Sequence, residues 1–400
     1  MAGFFPVFFK SYWASGMSAT ESTVRLGTAN AIASLMVVLL APLLGVIADR
    51  SGRKKGLLMM LAMLGVLMSG GLFLVGEGYW LVAAGLYVLG VVGFAGGNVT
   101  YDAMLIDVAD RSEFERVSAL GFALGYLGGG LLFAVNVLMV LYPQFFGLAD
   151  KAEAVRVAFL SVAVWWAVFS LPVLLFVREP PRPHAATLAA GRRRAWDEMV
   201  ETWRLLRRLP MAFTFLIAYW CYIDGVDTIV RMAVDYGLSL GFAADSLLTA
   251  LLLTQAVGFP AALLFGRIGD RIGAKRAIWL ALIVYVIAVF WAWRMTATWE
   301  FYGLAVVIGL VQGGIQSMSR ALYARLIPAE HAGRLFGLYN MMGKFAAVVG
   351  PLLVGWVAVL SGNARTGILS VLLLFLAGGW LLARVRVAEG ERQASAVGGG

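Results

Sequence analysis

Charge is scarce in this chain. Asp, Glu, Lys and Arg make up 14% of 400 residues, against about a quarter in an ordinary soluble domain. So few charges cannot furnish the polar shell that a soluble protein of this length needs, which excludes a soluble enzyme and a disordered chain. A single cysteine, Cys221, excludes an internal disulfide framework. Two histidines, His184 and His331, stand in loops away from any metal-ligand cluster, so no metal or other cofactor is expected. No G-x-x-x-x-G-K-S/T loop is present to cradle a nucleotide phosphate, which argues against ATP-driven chemistry. The net charge of +9 would point to nucleic acid in a soluble protein. Here it fits loops facing anionic lipid, and no nucleic-acid partner is expected.

Apolar residues are abundant instead, at 61% with a mean hydropathy of +0.84. Apolar runs long enough to cross a hydrocarbon core of about 30 Å recur throughout. They predict spans over 27–48, 56–76, 79–101, 117–142, 154–177, 210–236, 245–266, 277–294, 301–324, 334–360 and 367–384. The opening MAGFFPVFFKSYW is apolar but only half the length a span needs. Ten-residue alternation is lacking, so a β-barrel is not predicted. If the loop after the first full span is cytoplasmic, one side collects 24 of the 32 Lys and Arg, including Arg50–Lys55, eight arginines between Arg178 and Arg208, and Arg384–Arg392. This asymmetry sets the orientation and leaves the C-terminus cytoplasmic.

The polar break at 178–209 divides the spans into two sets. It opens as REPPRP and continues with Trp196, Met199, Val200, Trp203 and Leu206 at helical spacing. That pattern predicts an amphipathic helix on the inner membrane surface. The expected organisation is an N-terminal bundle over 1–177, a basic linker over 178–209, a C-terminal bundle over 210–385 and a cytoplasmic tail over 386–400.

Two loops match at an offset of 221 residues, GVIADRSGRKKG from Gly45 and GRIGDRIGAKRA from Gly266. Arg116 with Gly125 and Arg334 with Gly343 repeat at nearly the same offset, so the chain is an internal duplication of six helices per half. The G-x-x-x-D-R-x-G-R-K loop resembles the signature of the major facilitator superfamily. YIDGVDTIVRMAVDYG (222–237), RVSALGFALGYLGGG and SRALYARLIPAEHAGRLFGLYNMMGKFAAVVGP (319–351) resemble a narrower branch, the vacuole-effluxer-like transporters related to an autophagy-linked amino-acid exporter. The resemblance implies an all-α membrane protein of major facilitator fold, with two six-helix bundles and alternating access to a central site. It implies no enzymatic activity. The expected role is secondary transport of a small solute, with amino-acid efflux and a coupling proton suggested by the branch, by a monomer in a bacterial inner membrane. A non-transporting sensor or scaffold built on the same fold is the alternative. At the 221 offset Met1 falls opposite Tyr222, twelve residues inside a helix beginning near Pro210, so the first helix is expected to be incomplete.

A transporter of this kind needs gate charges at the membrane face and site charges within. Gly45, Asp49, Arg50, Gly52 and Arg53 form the gate motif: Gly45 permits close helix approach, Gly52 a tight turn, and Arg53 a pair with Asp102 or Asp107. Gly266, Asp270 and Arg271 are the second copy. Arg320 and Arg325 stand where acids stand in the first half, so the second gate is expected to be wired differently.

Asp224, Asp227, Arg231 and Asp235 fall within an arc of about 80° on one helix. A charge inside a span costs roughly 2.5–3.5 kcal/mol, so these should face the bundle interior. Asp224 is expected about 20 Å deep, and Lys344 about 14 Å into its own helix, which makes the two plausible partners. They form either a structural ion pair or a coupling and substrate site. Asn98, Tyr101, Gln312, Gln316 and Asn340 are weaker candidates, since each also suits a helix-packing hydrogen bond.

Overall fold

A computed structural model describes residues 4–179, 195–242 and 244–398. The described residues are almost wholly helical. Among the described residues eleven helices are long and apolar enough to cross a membrane, as the hydropathy pattern predicts. In chain order the helices are α1 (Phe5–Phe8), α2 (Ala19–Ser51), α3 (Lys54–Leu74), α4 (Trp80–Val108), α5 (Phe114–Leu141) and α6 (Lys151–Phe176). They continue as α7 (Ala195–Arg207), α8 (Pro210–Ser239), α9 (Ala244–Ile272), α10 (Ala274–Arg294), α11 (Thr298–Leu326), α12 (Ala332–Ser361), α13 (Ala364–Leu369), α14 (Val371–Arg384) and α15 (Val387–Gly398).

Several helices outrun their predicted apolar cores. The core 27–48 lies inside α2, which starts where the Ser18 side chain accepts from the Glu21 amide at 3.2 Å and stops at Gly52, φ 61°. Hydropathy detects depth in lipid, whereas caps decide where helical hydrogen bonding ends. The predicted span 367–384 is interrupted at Ser370, whose hydroxyl donates to the Gly367 carbonyl at 2.6 Å. Residues 387–398, expected as a tail, form α15.

The described residues fall into two compact units, one within Met1–Met104 and Leu131–Arg193, the other within Leu105–Gly130 and Arg194–Gly400. Helix α5 is thus shared, its first half packing in the second unit. In the first unit, the opening stretch folds as α1 followed by a π-helical turn over Phe9–Trp13. Its aromatic side chains supply the packing: Phe5 stacks on Tyr87 at 4.1 Å, and Trp13, fully buried, lies 5.6 Å from Phe159 and donates to the Val75 carbonyl. Helix α3 packs on α6 and α4 through glycine: a Cβ on Gly65 would overlap the Trp166 ring, and one on Gly93 would sit 2.7 Å from the Gly65 nitrogen. Such contacts draw helices together where lipid provides no hydrophobic drive between them.

The duplication is visible in the backbone. Gly52 and Gly273, equivalent at the 221 offset, both adopt positive φ. Lys55 Nζ donates to the Val177 carbonyl at the end of α6 at 2.8 Å, and Lys275 Nζ donates to the Ala383 and Val385 carbonyls at the end of α14 at 3.0 and 2.8 Å. In each half a lysine in the first turn of a helix, α3 or α10, satisfies orphan carbonyls at the end of a later helix, where the helix dipole favours a cation.

Helix α7 departs from its predicted role. Glu198, Thr202 and Leu206 are buried where α7 packs on α8 and α12, while Trp203 stays 42% exposed. The expected apolar stripe is therefore split between protein and surroundings. The Trp196 side chain lies outside the described residues, as do residues 180–194 of the linker.

Candidate functional site

Asp224 is 1% exposed. Its Oδ1 accepts the Gly350 amide of α12 at 2.9 Å and the Thr228 hydroxyl at 3.5 Å. Gly350 precedes Pro351, which interrupts the donor series of α12. A Cβ on Gly350 would overlap Thr228 Oγ1 and stand 2.8 Å from the Asp224 carboxylate, so only glycine lets the helices approach this closely. The expected partnership of Asp224 with Lys344 is therefore corrected: Asp224 clamps α8 to α12 through backbone. The buried carboxylate is offset by these hydrogen bonds rather than by an ammonium.

Lys344 has a different acidic neighbour. Asp227, one turn further along α8, interacts electrostatically with both Arg231 and Lys344. Among the described residues no N–O separation within 4.0 Å joins these three charges. Asp227 and Lys344 are each partly buried, and Arg231 is exposed. The Asp235 side chain lies outside the described residues. Asp227 is also the acidic neighbour of Tyr126 and Tyr285. The Tyr126 ring is seated between helices by two glycines, since a Cβ on Gly258 or on Gly313 would come within 2.8 Å of it. Tyr285 is fully buried, and its hydroxyl has no hydrogen-bond partner among the described residues.

At the first gate motif, Gly52 takes the predicted left-handed turn, Gly45 is buried, Asp49 is partly buried, and Arg50 is exposed. Arg53 is exposed. The buried basic residue is its neighbour Lys54, whose Nζ donates to the Ala103 carbonyl of α4 at 3.3 Å. Asp102 is buried and Asp107 partly so, each with polar interactions of its own.

At the second copy of the motif the polar contacts run through the start of α5. The buried Glu115 accepts from Arg325 at 2.7 and 2.6 Å, a bidentate pair. Arg320, 3% exposed, donates to the Ser118 hydroxyl and carbonyl at 2.9 Å each and lies 4.8 Å over the Phe122 ring. Ser118 in turn donates to the Ser317 carbonyl at 2.7 Å. Gly266 and Gly269 of α9 admit α5: a Cβ on the first would stand 2.8 Å from Ala119 Cβ, and one on the second 3.1 Å from Glu115 Cβ. Asp270 and Arg271 are exposed, and Asp270 interacts electrostatically with Glu115, Arg116 and Arg325. Glu115 and Ser118 escaped the sequence reading. The available signal was the missing acid opposite Arg325, which had to be supplied from elsewhere.

Among the weaker candidates, Asn340 donates to the Phe336 carbonyl of its own helix at 3.1 Å. Gln316 and Asn98 are partly buried, and Tyr101 is 41% exposed. Gln312 lines a cavity of about 80 Å³ walled by Ile229, Tyr236, Leu251, Val289 and Phe301.

Comparison with known proteins agrees with this architecture. A family model described as vacuole effluxer Atg22 like matches residues 12–113 and 106–395. The uncharacterized MFS-type transporter YxiO of Bacillus subtilis (strain 168) is 36% identical over 387 residues, covering 95% of this chain and 89% of that protein. Autophagy-related protein 22 of Cryptococcus neoformans var. neoformans serotype D (strain B-3501A) is 29% identical over 301 residues, 70% of this chain and 54% of that protein. The solved structure of the proton:xylose symporter XylE, bound to 6-bromo-6-deoxy-D-glucose, superposes with a TM-score of 0.74 at 13% identity, covering 99% of this chain and 94% of that one. The helical duplication, the gate loop and these matches agree, and the chain belongs to the vacuole effluxer Atg22-like family of major facilitator transporters.

Proposed function

We propose that this multi-pass transporter exports a small zwitterionic solute of the amino-acid class, coupled to protons, with Asp227 and Lys344 as its interior charges. The observation that carries this reading is their separation. Opposite charges on α8 and α12 interact electrostatically, without an ion pair, next to the clamp that fixes the two helices together. Isolated charges within a span are costly. A solute bearing an ammonium and a carboxylate would answer both at once, and a protonated Asp227 would answer one of them.

The excess of basic residues on one side, 24 of 32, supports an orientation with the linker and C-terminus in the cytoplasm. The relative from Bacillus supports a bacterial inner membrane. The protein would work as a monomer, each copy containing both bundles.

The test is counterflow into proteoliposomes loaded with candidate solutes. Neutral amino acids should exchange and hexoses should not, and an imposed pH gradient should drive accumulation. Exchange of hexoses alone, or accumulation indifferent to the gradient, would contradict the proposal.

A further inference from the structure

Helices α10 and α14 run antiparallel within the second unit. Lys275 Nζ, in the first turn of α10, reaches the Ala383 and Val385 carbonyls at the end of α14. Further along, a Cβ on Gly379 would stand 3.1 Å from the Trp279 ring, and Tyr285 stacks on Phe375 at 5.4 Å. The start of α10 and the end of α14 therefore share one level of the membrane.

Each helix shows an exposed column headed by an arginine at that level. On α10, Leu280, Ile283 and Ile287 are exposed beneath Arg276, the four within an arc of about 60°. On α14, Leu373, Leu376 and Trp380 are exposed beneath Arg384, within about 80°. Because the helices are antiparallel, counting about 100° per residue from the Trp279 contact with Gly379 puts both columns on the same side of the seam. The pair thus presents two apolar strips with cationic heads at one end, which complements a lipid of two acyl chains and an anionic headgroup.

The charge at that end is unclaimed. Lys275 is occupied by carbonyls, and Arg386 is paired with Glu389 at 2.8 Å. Among the described residues neither Arg276 nor Arg384 has a carboxylate within 4.0 Å. The Arg384 guanidinium lies 3.5 Å over the Trp380 ring, and an indole in such a place suits the headgroup level. In the first half the chain supplies an anion itself: two residues beyond the Val177 carbonyl that Lys55 holds, Glu179 accepts the Lys55 amide in the first turn of α3 at 2.6 Å. Two residues beyond the Val385 carbonyl that Lys275 holds stands Val387, after Arg386.

We propose that the edge formed by α10 and α14 is a binding site for one anionic phospholipid of the cytoplasmic leaflet. Arg276 and Arg384 answer its phosphate, and its acyl chains lie along the two columns. The site is independent of which solute is moved.

The test is lipid binding to the full-length protein in a neutral detergent, read by native mass spectrometry for the first bound lipid. The probes are phosphatidylglycerol, phosphatidylcholine and inorganic phosphate. Arg276→Gln and Arg384→Gln should each weaken phosphatidylglycerol about fivefold, the share of one interfacial cation, and together about twenty-five-fold, with phosphatidylcholine changed by less than about twofold. Arg208→Gln, which removes an exposed arginine just after α7, should leave phosphatidylglycerol binding as it was. Arg276 and Arg384 are exposed, so the variants are expected to fold, and an unchanged melting temperature without lipid checks this. Undiminished phosphatidylglycerol binding in the double variant, or an equal loss in Arg208→Gln, overturns the site in favour of a diffuse positive surface. Full displacement of phosphatidylglycerol by millimolar inorganic phosphate overturns the lipid as its occupant.

Discussion

Gly350→Ala is the sharpest structural perturbation the site offers. The added methyl would overlap Thr228 Oγ1 and stand 2.8 Å from Asp224 Oδ1, against a carboxylate that is 1% exposed. Overpacking a tight contact costs about 1–3 kcal/mol. Loss of the 2.9 Å hydrogen bond from the Gly350 amide to the Asp224 carboxylate adds about 1.5–3 kcal/mol if the helices separate to relieve the clash. The two effects overlap, so a total near 3 kcal/mol is expected, a drop in Tm on the order of 5–10 °C for a domain of this size. Cys221, on the same helix three residues before Asp224, is the sole cysteine. It supplies the assay: a thiol-reactive dye reports its exposure during a thermal ramp in detergent. Adding Thr228→Ala should recover part of the loss by vacating the hydroxyl's place. A Gly350→Ala protein that melts with the wild type, or a double variant no better than the single one, would refute the clamp.

Two further outcomes follow from the same geometry. Tyr285→Phe removes a buried hydroxyl that has no partner among the described residues, so thermal stability should hold or rise by up to about 1 kcal/mol; a clear loss would mean the hydroxyl is satisfied. Gly52→Ala places a side chain at φ 61° and should cost about 1–2 kcal/mol, seen as a lower melting temperature, whereas Gly56→Ala, on the helical α3, should not.

The sequence revealed the membrane spans because hydropathy and lipid thickness speak directly to each other. It revealed the Gly52 turn because few other residues tolerate that backbone. It misassigned the acid beside Lys344. Helical periodicity places Asp224 and Asp227 on one arc, but one turn of depth decides which meets an ammonium and which meets the Gly350 amide. That choice depends on how α8 and α12 are docked, a matter of Thr228 against a glycine 122 residues later in the chain. Glu115 was missed for a related reason: its partner Arg325 is 210 residues away, and no local pattern marks such a pair. Helix α15 was missed because the side of VAEGERQASAVG that packs is built from small residues, Gly390 and Ala394, with one glutamine, rather than from large apolar ones.

The central claim is that the interior charge serving transport is Asp227, with Asp224 structural. Proton-gradient-driven flux of neutral amino acids in proteoliposomes tests it, comparing Asp227→Asn with Asp224→Asn. Asn at 224 keeps an oxygen that can accept the Gly350 amide, so most of the flux should remain. Asn at 227 removes the charge that faces Lys344, and gradient-driven flux should fall by at least about tenfold, roughly 1.4 kcal/mol in a rate-limiting equilibrium. Loss of flux in Asp224→Asn with full activity in Asp227→Asn would contradict the account.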